Sequence, residues 1–302
     1  MEHKISRYLF ELLSFIADSG NSVFDKQRIT DALYMSCGCV SEAYKFLLEK
    51  KYIKEDNGHI AITHSGLSML EPYRVRRAVI LAAGYGSRMM PATAEYPKPM
   101  VTVNGRHIIE TLLDALVAAD INDITIVRGY HKEKFDELLG KYPFLRFIDN
   151  DDYDKTNNIS SAILAHDCFH DGAYLCESDL YITNPVLIRK YQYVSNILGS
   201  YSLQTDDWSF KMDDNGHIKN YQKGNTFCWN YYGISYWTAE DCEKLNRDWK
   251  ELFIVDKNIF WEQVPLQLRK ENYAVEIRPC RKQDIIEIDN YDELAMLDSS
   301  YR

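Results

Sequence analysis

A buried strand that ends in a glycine turn is the feature that most restricts what this chain can fold into. Residues 77–83 are Arg-Ala-Val-Ile-Leu-Ala-Ala, an apolar run of strand type, and Gly84-Tyr-Gly-Ser-Arg-Met89 follows at once. A dinucleotide fingerprint would need glycine in place of Met89, and a P-loop would need Gly-Lys-Ser/Thr after four intervening residues, so both motifs are excluded. Gly84 and Gly86 allow close backbone approach and Arg88 adds a cation. These are the ingredients of a polyphosphate site.

A second cation follows at short range. Pro91 and Thr93 lead into Tyr96-Pro-Lys-Pro-Met100, so Lys98 stands between two prolines that restrict the backbone around it. The alternative is a surface turn in which Arg88 and Lys98 are simply solvated. The combination of glycine turn, arginine and fixed lysine favours an anion site.

Length and composition limit the class of protein. A chain of 302 residues suggests two domains, one of them small. Hydrophobic residues make up 46% and charged residues 26%, which argues against a disordered, fibrous or membrane-embedded chain. The longest clean apolar run, residues 78–83, is far shorter than the roughly 20 residues a transmembrane helix needs, and the amino terminus has no signal-peptide pattern. The sequence predicts a cytoplasmic protein with no membrane partner.

Charge and cysteine usage exclude further classes. Net charge is 35 − 45 = −10, so nonspecific attraction of the whole molecule to nucleic acid is not expected, and an anionic ligand must be met locally. The seven cysteines include no Cys-x-x-Cys pair, which indicates neither a disulfide framework nor a zinc site.

Composition changes near Pro72 and divides the chain into predicted domains 1–74 and 75–302. The first part has helical periodicity at 5–16, 25–34 and 36–51, then two alternating strands around an Asp56-Asn-Gly turn within 52–63. This order is similar to a winged helix-turn-helix domain of bacterial regulators. After Arg76, strand-like and helix-like segments alternate, which predicts an α/β domain.

DNA binding by the first domain is possible but not favoured. Residues 1–74 contain nine Lys and Arg against ten Asp and Glu, so the basic footprint of a DNA reader is missing. The third helix offers Ser41, Glu42, Lys45 and Lys50 but no arginine for guanine. We expect a docking, dimerisation or regulatory module.

Acidic residues at strand ends predict a metal site. Asp179 follows a strand-like run at its carboxyl end, where ligands collect in open α/β sheets. In residues 284–289 acids alternate with isoleucines, so a strand would place Glu287 and Asp289 on one face. Two carboxylates with phosphate oxygens and water form the usual Mg²⁺ shell. The alternative is a solvated edge, with Asp289 capping the helix that begins at Tyr291.

Two adjacent asparagines are candidates for base recognition. Asn157 and Asn158 each carry a donor amide and an acceptor carbonyl, which suit a pyrimidine or ribose edge. The alternative is a helix N-cap formed with Ser160, and the two interpretations are compatible.

Taken together, Leu81-Ala-Ala-Gly-x-Gly-Ser-Arg88-x-x-Pro-x-Thr93 and Pro97-Lys98-Pro99 resemble the signature of nucleoside-triphosphate transferases with the sugar-phosphate nucleotidylyltransferase fold. Further segments resemble the bacterial choline-phosphate cytidylyltransferases. These segments are 109–119, 124–130, 156–162, 177–179, 233–237 and 286–289. The resemblance covers about residues 77–297.

The resemblance implies a Rossmann-like mixed-sheet nucleotidyltransferase domain after the small winged-helix domain. It implies catalytic roles for Lys98, Arg88 and Asp179, and Mg²⁺ held by Asp179 and Asp289. The nucleotide, CTP, is expected to contact Leu81, Ala83, Gly84, Gly86, Ser87, Arg88, Lys98, Asn157, Asn158 and Ser160.

Aromatic residues crowd the second half of the chain and suit a quaternary ammonium, which binds best to aromatic faces. The resemblance assigns phosphocholine to Trp208, Tyr232, Phe260 and Trp261, with Glu287 adding a negative charge. The family has a Cys-x-Asn-Glu-Trp-like run where this chain has Gln204-Thr-Asp-Asp-Trp208. If Asp206 or Asp207 turns inward beside Trp208, it supplies acceptors for a primary amine, and the preference would reverse.

The predicted reaction converts CTP and phosphocholine to CDP-choline and pyrophosphate. Two alternatives stay open: the same chemistry on 2-aminoethylphosphonate or phosphoethanolamine, and a transcriptional regulator whose degenerate transferase domain senses a ligand. Intact Arg88, Lys98, Asp179 and Asp289 argue against the regulator. The sequence does not indicate the oligomeric state.

Overall fold

The apolar run after Arg76 forms a central strand of a seven-stranded mixed sheet. The computed structural model of the chain describes residues 5–20, 22–23, 25–33 and 35–302. They divide into two units. One comprises the residues up to Arg74 together with Tyr191–Tyr193, and the other comprises Val75–Lys190 and Val194–Arg302.

The larger unit contains eleven strands and four α-helices among the described residues. Its strands are β4 (Arg77–Ala82), β5 (Thr102–Val103), β6 (Arg106–His107), β7 (Asp123–Arg128), β8 (Arg146–Asp149), β9 (Ala173–Glu177), β10 (Leu180–Ile182), β11 (Asn196–Met212), β12 (Ile218–Trp237), β13 (Glu276–Pro279) and β14 (Ile285–Glu287). Its helices are α5 (Ile108–Ala118), α6 (Ile159–Leu164), α7 (Ala239–Val255) and α8 (Tyr291–Leu297).

The main sheet has the order β13-β11-β12-β9-β4-β7-β8. Strand β4 is parallel to both β7 and β9, whereas β12 is antiparallel to β9 and to β11. The predicted mixed α/β sheet is therefore confirmed. Parallel strands end at the same edge of a sheet, so the loops after β4 and β9 open together.

Both faces of the sheet are buried, which explains the unbroken apolar run. Along β4, Ala78 and Ile80 face one hydrophobic core, and Val79 and Leu81 face the other. This alternation follows from the two-residue period of a strand.

A short ribbon brings a distant segment to the same edge. Strand β10 pairs antiparallel with β14, with Leu180 opposite Glu287 and Ile182 opposite Ile285. Residues 179 and 289, separated by more than one hundred positions in sequence, are thereby placed side by side.

The amino-terminal unit has helices and a hairpin close to their predicted positions. Its helices are α1 (Arg7–Ser19), α2 (Lys26–Leu33), α3 (Cys37–Glu49) and α4 (His64–Leu70), and its strands are β1 (Ser22–Val23), β2 (Ile53–Asp56) and β3 (His59–Ile62). Tyr34, the predicted end of the second helix, lies outside the described residues. The strand order is β1-β3-β2. The assignment to the winged-helix class stays a prediction.

Local chemistry accounts for two boundaries in this unit. The Ser36 side chain accepts a hydrogen bond from Cys39 N at 3.2 Å and caps α3. Asn57 and Gly58 have φ of 51° and 78°, the left-handed conformation that a two-residue hairpin turn requires at both central positions.

A segment from far along the chain completes the core of the amino-terminal unit. Tyr191 is buried there, and the Tyr193 ring packs against Phe10 and stacks on Tyr73 with centroids 5.1 and 5.2 Å away. The Tyr193 hydroxyl donates to Ile5 O at 2.8 Å. Nothing in the local sequence around Tyr191 predicted that this segment packs in the amino-terminal unit.

Across the described parts of both units, the helices are too short or too polar to cross a bilayer.

Candidate active site

A cleft of about 580 Å³ opens where β4 and β9 end, at the edge where ligands are expected. Most of the predicted site residues line it. They are Leu81, Ala83, Gly84, Gly86, Ser87, Arg88, Lys98, Asn157, Asn158, Asp179, Trp208, Phe260, Glu287 and Asp289.

The glycine turn after β4 is shaped by contact with the Lys98 segment. Gly86 has φ of 61°, and a Cβ built there would lie 2.7 Å from Cβ of Lys98 and 3.3 Å from Cγ2 of Thr93. Only glycine fits this close approach without displacing its neighbours. The turn therefore holds its backbone directly against the lysine.

Two cations and two carboxylates form a linked cluster at the cleft floor. Lys98 Nζ donates to Asp179 Oδ2 at 2.9 Å and to Asp289 Oδ1 at 3.1 Å. Arg88 donates to the same Asp289 oxygen at 3.0 Å. Burial lowers the pKa of Lys98, but the two carboxylates outweigh it and the pKa lies above its usual value. Lys98 is therefore a fixed positive charge at neutral pH.

Three carboxylates converge in a pattern that suits a hard divalent cation. Asp179, Glu287 and Asp289 each offer an oxygen, and these atoms lie within 4.8 Å of one another. Burial, then the charges of Asp179 and Asp289, raise the pKa of Glu287 to about 8. A bound cation would relieve this repulsion.

One oxygen of this group has no partner. Asp179 Oδ1 is buried and accepts no hydrogen bond from any of the residues that the structure describes. A buried carboxylate oxygen without a partner is costly unless a ligand satisfies it. The donor set and this oxygen both fit Mg²⁺, which prefers carboxylate oxygen and keeps several waters.

A second acidic pocket lies beside the aromatic side chains. Tyr231 donates its hydroxyl to Glu177 Oε1 at 3.2 Å, and Tyr221 donates to Glu262 Oε1 at 3.3 Å. Glu262 is only 3% exposed, and its Oε2 accepts no hydrogen bond within the described part of the chain. Trp208 stacks on Tyr221 with centroids 4.7 Å apart and planes 13° apart.

The two carboxyl groups of this pocket, Glu177 and Glu262, have raised pKa values. Burial, then the neighbouring Glu262, Asp179 and Glu287, raise the pKa of Glu177 well above its usual range. Burial raises the pKa of Glu262 to about 7, although Asn158 and Tyr221 act in the opposite direction. A cationic ligand placed here would stabilise both carboxylates in their charged form.

Sequence reasoning did not single out the acids and phenols of this pocket as ligand-binding residues. Glu177 could have been found, because it ends the strand-like run that precedes Asp179 by two positions. Tyr231 is on the face of β12 opposite to the predicted Tyr232. No local pattern marks Glu262, whose position depends on the loop after α7.

Three predicted residues lie outside the cleft. Tyr232 points to the other face of β12, where it packs in the first core and its hydroxyl lies 3.1 Å from that of Ser200. Trp261 is fully buried and packs edge-on against Trp237 and Trp249.

The third of these, Ser160, is buried and does not line the cleft. Its hydroxyl accepts from Asn150 Nδ2 at 2.9 Å and donates to Asn157 O at 3.0 Å. Alternation along a strand excludes Tyr232 from the cleft, and core packing excludes Trp261 and Ser160.

The structure distinguishes the two aspartates, Asp206 and Asp207, that were predicted as possible acceptors for an amine. Asp207 lines the cleft beside Trp208, and Asp206 does not. The cleft therefore offers a further acceptor near the aromatic side chains.

Comparison with known proteins agrees with this geometry. The family model for nucleotidyl transferases matches residues 77–175. The 2-aminoethylphosphonate cytidylyltransferase of Lancefieldella rimae is 36% identical over 228 residues, 74% of this chain and 92% of the relative. The choline-phosphate cytidylyltransferase of Haemophilus influenzae is 30% identical over 221 residues, 72% and 93% of the two chains.

A solved structure gives the same result. The CTP:phosphocholine cytidylyltransferase from Streptococcus pneumoniae superposes with a TM-score of 0.68 at 27% identity, covering 76% of this chain and all of the other. The chain belongs to the nucleotidyl transferase family. Within that family it is a cytidylyltransferase, which makes it an enzyme.

Proposed function

We propose that the enzyme transfers the cytidylyl group of CTP to 2-aminoethylphosphonate. A phosphonate oxygen attacks the α-phosphorus in line, the bond from that phosphorus to the bridging β-phosphate oxygen breaks, and pyrophosphate leaves with the electron pair. The attacking oxygen is already anionic, so no protein nucleophile is needed. Catalysis then consists of positioning and charge neutralisation.

The nucleotide end of the cleft suits the triphosphate. The backbone of the glycine turn faces it, and Arg88 and Lys98 supply positive charge. Among the described lining residues, six carboxylates face three cations, Arg88, Lys98 and Lys223. Two anionic substrates therefore need additional positive charge. We propose that Asp179, Asp289 and Glu287 hold Mg²⁺, which when bound neutralises phosphate charge.

The observation that carries the choice of second substrate is the unpartnered Glu262 Oε2. A primary ammonium has three N–H donors, whereas a trimethylammonium has none. Glu262 Oε2, with Glu177 and Asp207 in the same cleft, offers acceptors that only a primary amine can use. Leaving one buried acceptor unpaired costs about 1–3 kcal/mol, which corresponds to roughly 5- to 150-fold in kcat/KM.

Phosphocholine is the second candidate, and the stacked Trp208 and Tyr221 favour it. Aromatic faces attract a quaternary ammonium by about 0.5–2 kcal/mol each. Both kinds of enzyme occur among the relatives. The buried acceptor is the more selective feature, because aromatic faces attract either type of cation.

A substrate panel tests the proposal. We expect pyrophosphate release from CTP with 2-aminoethylphosphonate to exceed that with phosphocholine by tenfold or more in kcat/KM. Phosphoethanolamine, which keeps the primary amine, should lie between them. A preference for phosphocholine, together with a selective loss of phosphocholine activity in Trp208→Ala, would overturn the head-group assignment and leave cytidylyl transfer intact.

Adjacent aspartates provide a matched pair of variants. Asp207→Asn removes a charge from the cleft and should raise the KM for 2-aminoethylphosphonate several-fold. Asp206→Asn makes the same chemical change at a residue outside the cleft and should leave that KM unchanged. Equal effects of the two variants would argue against a role for Asp207.

A further inference from the structure

The Asn158 side chain is already engaged by the segment that carries Phe260 and Glu262. Its Oδ1 accepts a hydrogen bond from Trp261 N at 2.9 Å. Trp261 stands between Phe260 and Glu262, and both of these neighbours line the cleft. The Asn158 side chain thus binds the backbone at the centre of a three-residue segment.

Asn157 binds the residues just before that segment. Its backbone N–H donates to Lys257 O at 3.0 Å, and its Nδ2 donates to Asn258 O at 3.0 Å. Its Oδ1 accepts from Asn158 N at 2.8 Å. Asn157 therefore uses both polar atoms of its side chain within the protein, and Asn158 uses its side-chain oxygen, which reduces the capacity of the pair to read the edge of a base.

The segment held in this way forms one wall of the acidic pocket. The Phe260 ring meets Trp208 edge-on with centroids 6.2 Å apart, and Glu262 accepts from Tyr221. Trp261 N would lose its acceptor if Asn158 were truncated. A buried donor without a partner costs about 1–3 kcal/mol, so truncation of Asn158 favours a shift of this segment.

We infer that Asn158 is a positioning residue for the second substrate, which fixes Phe260 and Glu262 in the cleft, and not a reader of the cytosine base. The inference rests on the proposed function only in assigning the acidic pocket to the head group. It applies whichever amine the enzyme prefers. Its test is therefore run with CTP and with the better substrate of the panel described above.

The Asn158→Ala variant separates the two roles. We expect the KM for the second substrate to rise about tenfold, the KM for CTP to change by less than twofold, and discrimination against UTP to be retained. Asn158→Asp keeps the oxygen that accepts from Trp261 N, so it should recover most of the loss. A rise confined to the KM for CTP, or a loss of discrimination against UTP, would overturn the inference.

A double-mutant cycle with Glu262→Gln tests the route of the effect. If Asn158 acts through Glu262, Asn158→Ala should cost much less in the Glu262→Gln background than in the wild type. Additive losses in kcat/KM would contradict positioning through Glu262. Should Asn158→Ala fail to fold, Asn158→Asp takes its place in the cycle, and the ratio of the KM for CTP to the KM for the second substrate is measured. If Asn158 positions the segment, this ratio should stay near that of the wild type. If Asn158 reads the base, the KM for CTP should rise and the ratio should increase.

Discussion

Asp179 is the residue on which the metal proposal depends most directly. Asp179→Asn removes one negative charge from the three-carboxylate group without changing side-chain volume, so turnover should nearly vanish while the fold remains. Initial rates across a range of Mg²⁺ concentrations measure this. Asp214→Asn, an exposed acid between β11 and β12, is the matched control and should behave as the wild type. Near-wild-type activity of Asp179→Asn at low Mg²⁺ would contradict the assignment.

Glu262 gives the free energy of unfolding a pH dependence of known sign. Burial raises its pKa to about 7 in the folded protein, whereas the ordinary value, which applies to the unfolded chain, is 4.5. Between these values the folded state binds more protons than the unfolded state, so this contribution to stability is present below pH 4.5 and falls as pH rises to about 7. The full loss is on the order of 3 kcal/mol.

Glu262→Gln should remove that contribution. Urea unfolding without substrates, at pH 5 and pH 8, is expected to show a smaller decrease in stability for the variant than for the wild type. A cationic ligand in the pocket should reduce the difference, because it favours the ionised carboxylate. Parallel pH profiles for the two proteins would show that Glu262 is not the group responsible.

At the scale of single elements, strand periodicity explains which of the predicted site residues lie together in the structure. Lys98, Asp179, Glu287 and Asp289 were placed by motif and by position at strand ends, and they meet in the cleft. Tyr232 lies outside the cleft, because neighbouring residues of a strand point to opposite faces and Tyr231 takes the cleft side. The residues after α7 could not be placed from sequence, because their position follows from long-range hydrogen bonds to Asn157 and Asn158.

Gly233 tests how closely β12 and β9 constrain the acidic pocket. A Cβ at Gly233 would lie 2.4 Å from Cδ and Oε2 of Glu177, so the Glu177 side chain must move in Gly233→Ala. Overpacking of this kind costs about 1–3 kcal/mol. We expect a lower melting temperature and a higher KM for the second substrate, with the KM for CTP less affected.

Gly140→Ala is the control for this substitution. Its φ lies outside the left-handed region, and no heavy atom from the described residues lies within 4 Å of the added Cβ. This variant should keep wild-type stability and kinetics. A Gly233→Ala enzyme that behaves like Gly140→Ala would show that Glu177 moves freely and does not define the pocket.

At the scale of the whole molecule, the acidic net charge predicts weak binding to duplex DNA. Residues 1–74 carry nine basic and ten acidic side chains, and the whole chain carries a net charge of −10. We expect the full-length protein to bind duplex DNA at physiological salt no more tightly than an unrelated acidic protein, because phosphate contacts supply most of such affinity. Selection from random duplexes measures this. Enrichment of a single sequence would contradict the prediction and favour a DNA-reading role.

The division of the chain into units could be predicted only in part. Local periodicity located the helices and hairpin before Arg74, because each is specified by neighbouring residues. The segment Tyr191–Tyr193 packs in the amino-terminal unit although more than one hundred residues separate it from Arg74, and no local pattern encodes this contact.

The packing of Tyr191–Tyr193 in the amino-terminal unit has a consequence for synthesis on the ribosome. The amino-terminal helices and hairpin emerge first, but Tyr193 must still pack against Phe10 and Tyr73. The roughly 120 residues that separate Tyr73 from Tyr193 take about 6 to 24 s to translate at 5–20 residues per second. During that interval the nascent unit exposes the apolar surface that Tyr191 and Tyr193 later cover. The part of the protein that leaves the ribosome first is therefore not completed first.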